Sequence, residues 1–106
     1  MLHINIYPIR KEKESRLRAW LSELNNRADE VRQTFADESV RAEQAYIVST
    51  SDGPLLIYAI EAENFEQGAK AYASSTHPID AQHKEIKLEC LEARLDQLPD
   101  YSVAMP

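Results

Sequence analysis

The chain has 106 residues, 43% of them hydrophobic and 28% charged, with two glycines and a formal net charge of -6. That length predicts one domain able to bury roughly 65% of its unfolded surface without staples, and the apolar content excludes disorder. Lys and Arg are scattered among the acids, so no basic stripe offers itself to nucleic acid or to an anionic membrane surface, and neither is expected as a partner.

LHINIYPI (2 to 9) alternates, with Leu2, Ile4 and Ile6 pointing one way and His3, Asn5 and Tyr7 the other. This predicts a strand ended by Pro8. From Glu12 to about Asp37 the period becomes helical, and Leu17, Trp20, Leu21, Leu24, Ala28, Val31 and Phe35 share a stripe, predicting one long helix with a buried face. Its outer face carries Glu12/Arg16, Glu14/Arg18 and Glu23/Arg27 at i,i+4, each pair giving a few tenths of a kcal/mol. VRAEQAYIVST (40 to 50) and PLLIYAIEA (54 to 62) read as strands joined at Asp52-Gly53, a step that tolerates positive φ. Asn64 caps a short second helix bearing Phe65, Ala69, Tyr72 and Ala73 on one side. After His77-Pro78 a third helix is expected from Asp80 to about Leu98, and DYSVAMP at the end is strand-like.

The order predicts an α+β chain of ferredoxin-like βαββαβ type, with an extra helix before the last strand and helices on one face of a four-stranded antiparallel sheet. Two features press for a second copy. Ile79, His83, Ile86, Cys90 and Ala93 form one apolar stripe of the third helix, while Leu88, Leu91 and Leu95 lie nearly opposite; acidic Glu85, Glu89, Glu92 and Asp96 take one flank. In the hairpin, Leu55, Ile57 and Ala59 alternate with Leu56, Tyr58 and Ile60, so both faces of that strand are apolar. A monomer would leave too large an apolar patch in water, which predicts a homodimer with facing sheets.

The long first helix, the hairpin AYIVSTSDGPLLIYAIEAENFEQGAKAYASS and the terminal YSVAMP resemble the dimeric α/β-barrel proteins, ferredoxin-like chains that pair their sheets into a shared barrel. The chain, with HPIDAQHKE (77 to 85), looks closest to a small group of unknown function within that superfamily. More distantly, IEAEN (60 to 64) and the hydrophobic terminus ending in proline are similar to the rhamnose mutarotases, which would imply epimerisation by general acid and base groups. That family's histidine has no counterpart within Arg16 to Asn26, and its paired tryptophans are replaced by His77-Pro78-Ile79, removing the proton carrier and the sugar platform.

His77, Asp80 and His83 stand three apart and could in kind serve as metal ligands. A capping role for Asp80, with His83 in the core, competes with that reading, and we expect no metal. His3, Asn5 and Tyr7 offer either a hydrogen-bonded seam inside the dimer barrel or a polar end to an apolar cavity. Trp20, Phe35, Tyr58 and Tyr72 are placed to meet between helices and sheet, as core or as pocket wall. Cys90, the single cysteine, reads as a small core hydrophobe. With no glycine-rich phosphate loop and no nucleophile elbow, no cofactor is expected. The N-terminus has no signal-peptide pattern and no run reaches membrane-spanning length, which predicts a cytoplasmic protein.

The expected function is therefore the binding of a small, largely apolar molecule between sheet and helices, contacted by His3, Tyr7, Trp20, Tyr58, Tyr72 and His83. A cofactor-independent oxygenase or an isomerase using His3 or His83 as acid/base is the enzymatic alternative. A structural or partner-binding dimer with a filled interior is the third.

Overall fold

The computed structural model describes residues 1–95 and 98–106. Strand β1 (Leu2–Pro8) is followed by helices α1 (Glu14–Asn26) and α2 (Ala28–Glu38), strands β2 (Val40–Thr50) and β3 (Gly53–Ala62), and helices α3 (Phe65–Ala73) and α4 (Pro78–Cys90). The strands form an antiparallel sheet in the order β1-β3-β2. Gly53, at φ 121°, closes the hairpin at the anticipated step, and Thr50 Oγ1 donates 2.6 Å to the Gly53 carbonyl.

The single long helix expected from Glu12 to Asp37 is two helices. Arg27 leaves helical geometry at φ -114°, ψ 33°, its N–H shared between the carbonyls of Glu23 and Leu24. Asn25 and Asn26, weak helix formers, precede the break, and the Arg27 side chain is drawn to Gln82 at 2.6 Å and to Glu30. The break lets one apolar stripe serve two partners, α1 packing on α4 and α2 on α3. Of the three expected pairs, Glu14/Arg18 and Glu23/Arg27 form. Arg16 instead pairs with Glu89 at 3.3 Å, because Glu12 sits in a turn at φ 74° before the helix starts.

Helix α4 also departs from expectation at both ends. It starts at Pro78, a residue suited to a first turn because it has no N–H to leave unpaired. It stops at Cys90, with Leu91 extended at φ -112°, ψ 145°. Leu91 and Leu95 bridge Ile9 and Ile6 on the free edge of β1, through Arg10 N–H to Cys90 O at 2.7 Å, Glu92 N–H to Pro8 O at 2.9 Å and Leu95 N–H to Ile6 O at 2.8 Å. Unpaired carbonyls on a sheet edge outweigh the helix propensity of LEARL. Leu91 thereby enters the core, while Leu88 stays 79% exposed. The continuation through Asp96 and Gln97 lies outside the described residues, and 100–106 contribute no strand.

Sheet register decides which residues meet the helices. His3, Asn5 and Tyr7 oppose Ile60, Tyr58 and Leu56, and Glu43, Ala45 and Ile47 oppose the same three from the other side. Leu56 and Tyr58 are buried, so this is the covered face. The core of Ile9, Leu17, Trp20, Leu56, Tyr58, Ile79, Ile86, Cys90 and Leu91 fills one end of the layer. Leu2, Ile4, Ile6, Tyr46, Val48, Leu55, Ile57 and Ala59 take the opposite face, where Ile4 and Tyr46 are 43% and 49% exposed.

Gly68 holds α3 against the end of α2: a Cβ there would stand 2.6 Å from the Glu38 carbonyl oxygen. Backbone cannot turn aside as a side-chain tip can. Gly68→Ala is expected to lower stability by about 1–2 kcal/mol, the overpacking cost outweighing the gain in helix propensity. Urea unfolding checks this, and a variant more stable than the parent would refute the close approach.

Candidate functional site

Beyond the filled core the layer opens into a cavity of about 710 Å³. Leu24, Val31, Phe35, Ile60, Phe65 and Ala69 supply apolar wall, and Asn5, Tyr7, Glu38, Glu43, Tyr58, Tyr72, Asp80, His83, Lys87 and Arg94 supply polar groups. The helix break at Arg27 contributes to this shape, since α1 seals the core end and α2 walls the open end.

His83 stands where core and cavity meet. Its Nδ1 accepts from Trp20 Nε1 at 2.8 Å, and its Nε2 lies 3.2 Å from Tyr58 Oη. Trp20 lies parallel-stacked beside it at 6.1 Å, while Tyr58 and Tyr72 meet it edge-on at 6.0 and 6.3 Å. Burial, helped by Lys87, lowers the imidazole pKa to about 4, so the ring is neutral at physiological pH. Burial also pushes the phenols of Tyr58, Tyr72 and Tyr7 above their ordinary range, keeping them as hydroxyl donors. Tyr72 Oη is buried without a hydrogen-bond partner.

Charge enters along one side. Lys87 Nζ sits 5.6 Å from the Tyr7 ring and 5.2 Å from the Tyr72 ring, the geometry of a cation on an aromatic face, and burial lowers its pKa. Glu38, half-buried near Asp80, Glu43 and Asp37, is pushed up to about 7, first by burial and then by those like charges. Glu43 is raised by burial more than Lys87 can offset.

The sequence-derived residues fall into three groups. Tyr7, Tyr58, Tyr72 and His83 line the cavity. Trp20 stands behind His83 and orients it. His3 lies apart, stacked on Phe65 at 3.9 Å with its Nε2 buried and unpartnered; it faces the helices, not the outer face of a dimer seam. Asn5 and Tyr7 share that orientation and line the cavity, whereas His3 does not.

The His77, Asp80, His83 constellation disperses to separate partners. His77 Nε2 is 2.7 Å from Asp37 Oδ2. Asp80 is not the helix cap; it accepts from Ser75 Oγ at 2.6 Å, while His77 holds the cap position without a side-chain bond. Among the described residues no three His, Cys, Asp or Glu side chains are placed to hold a metal. Glu38, Glu43 and Lys87 were missed by sequence reasoning. Alternation put Glu43 on the same face as Ala45 and Ile47, and Glu38 stands seven residues after Val31 on the same helical stripe, one residue past the expected helix end at Asp37; those spacings were the available signals.

A family model described as a family of unknown function, DUF6176, matches residues 3–105. Among solved structures the chain is similar to Rv0793 from Mycobacterium tuberculosis, with a TM-score of 0.54 at 20% identity over 95% of this chain and 97% of that one; this likeness is one of fold. A comparison with curated proteins finds no match. Among the described residues no helix is long and apolar enough to cross a membrane.

Proposed function

The chain belongs to DUF6176, a family of unknown function, and we propose that it is a homodimeric protein that binds a small, largely apolar molecule between its sheet and helices. The cavity carries this reading. At about 710 Å³ it falls within the range of small-molecule sites, with an apolar wall on which the polar groups named above also open. A purely structural dimer would have a filled interior, whereas the layer between sheet and helices in this chain opens into that cavity. Native mass spectrometry and solvent extraction of purified protein should find a co-purifying molecule, or a lipid and metabolite panel should raise the melting temperature. Silence in both would end the proposal.

The dimer rests on the outer sheet face. With the β1-β3-β2 order and residues 91–95 along β1, the arrangement supports a ferredoxin-like chain whose uncovered face pairs with its copy to close a barrel. Charging Ile4 and Val48 together, as Ile4→Lys/Val48→Lys, is expected to turn a dimer into a folded monomer by sedimentation, because both lie on that face and are partly exposed. A parent that already sediments at 12.1 kDa would refute it.

Acid/base chemistry by His83 has less support than binding, since both of its ring nitrogens already have partners.

A further inference from the structure

Trp20, His83 and Tyr58 form a chain of hydrogen bonds whose direction is set at one end. An indole nitrogen can only donate, so Nδ1 of His83, 2.8 Å away, must accept. The neutral ring then carries its hydrogen on Nε2. That nitrogen lies 3.2 Å from Tyr58 Oη and donates to it. Tyr58 therefore has its own hydroxyl hydrogen left over, with the cavity it lines as the open direction. Tyr72 repeats the situation from α3: its Oη is buried and has no partner, Tyr58 included. Both rings edge onto the same histidine and line the same cavity, so each brings a hydroxyl donor to that lining, and a buried donor left unmatched is costly.

We infer that the cavity takes a neutral, largely apolar molecule bearing a carbonyl-type oxygen, which accepts from Tyr58 and Tyr72. One sp² oxygen has two lone pairs and can accept from two hydroxyls. A carboxylate gains no net preference from the lining charge, because Glu38, Glu43 and Asp80 share the space with Arg32 and Arg94 and the Lys87 charge is directed at the Tyr7 and Tyr72 rings. A protonated amine brings no acceptor. This inference rests on the binding reading above and adds the chemistry of the ligand's polar end.

The full chain is titrated with three probes of one shape: 2-acetylnaphthalene, 2-ethylnaphthalene and 2-naphthoate. The ketone should bind on the order of tenfold more tightly than the hydrocarbon, the worth of one good hydrogen bond, and the acid more weakly than the ketone. In Tyr58→Phe and Tyr72→Phe the ketone's advantage should shrink while the affinity for 2-ethylnaphthalene stays put. Equal binding of ketone and hydrocarbon would overturn the carbonyl inference and leave the binding reading standing; tightest binding of naphthoate would do the same. Binding of none of the three would count against both. Nitrogen-15 NMR of His83 in the unaltered chain tests the premise without any variant, by showing hydrogen on Nε2. Hydrogen on Nδ1 would overturn the inference whatever the probes do.

Discussion

Replacing Trp20 by phenylalanine is expected to lower stability by about 2–4 kcal/mol, beyond what the change in ring volume explains. Trp20 is 3% exposed, and Phe keeps a flat apolar ring in its place. What disappears is the indole N–H, so Nδ1 of His83 loses the donor at 2.8 Å and is left buried with nothing to accept from. The Arg27 guanidinium, 6.0 Å over the indole ring, loses part of its cation–π partner as well. A double-mutant cycle separates the hydrogen bond from the packing. His83→Leu removes the acceptor, and in that background Trp20→Phe should cost at least 1 kcal/mol less than in the parent. Since Trp20 is the single tryptophan, circular dichroism is the appropriate probe. Additive losses would mean that the bond contributes nothing and that Trp20 acts by volume alone.

Much of this arrangement was legible in the sequence because it follows local periods. Alternation in LHINIYPI and PLLIYAIEA placed Tyr7 and Tyr58 on strands, and the 3.6-residue stripe placed Trp20 and His83 on buried helical faces. The cap at Asn64 was readable too, and its Oδ1 accepts from Gln67 N–H at 3.0 Å. The misreadings occur where long-range hydrogen bonds compete with local preference. LEARL has the residues of a helix, yet the free edge of β1 takes its backbone. Asp80 has the character of a cap, yet the turn residue Ser75 reaches it first. Arg27, at the break between the two helices, donates to Gln82, 55 residues away. Glu38 and Glu43 share faces with apolar residues, and that they border a cavity depends on which elements the fold brings together.

Those acids and His83 should give the protein a pH response in which opposing slopes conceal one another. His83 titrates near 4 in the fold and near 6.5 when unfolded. The unfolded state thus binds the extra proton first, and the stability held above pH 6.5 is lost as pH falls toward 4, on the order of 3 kcal/mol in all. Glu38 works in reverse. Its folded value is about 7 against 4.5 unfolded, so it favours the fold below pH 4.5 and withdraws that support as pH rises to 7. Solvent screening of a half-buried carboxyl reduces its share to about 1–2 kcal/mol. Glu43, raised in the same direction, adds to the Glu38 slope. Between pH 4.5 and 6.5 the contributions oppose, and the parent's unfolding free energy should vary little. Glu38→Gln should expose the histidine, making stability fall more steeply on acidification, and should stabilise the protein at pH 8 more than at pH 4.5. His83→Gln should expose the acids, so that its stability declines as pH rises from 4.5 to 7, whatever its absolute level. Urea unfolding at half-unit pH steps reads both slopes. If Glu38→Gln leaves the slope unchanged, its carboxyl does not sit against Asp80 and Glu43 at the cavity wall; if His83→Gln does so, the imidazole is not buried between Trp20 and Tyr58.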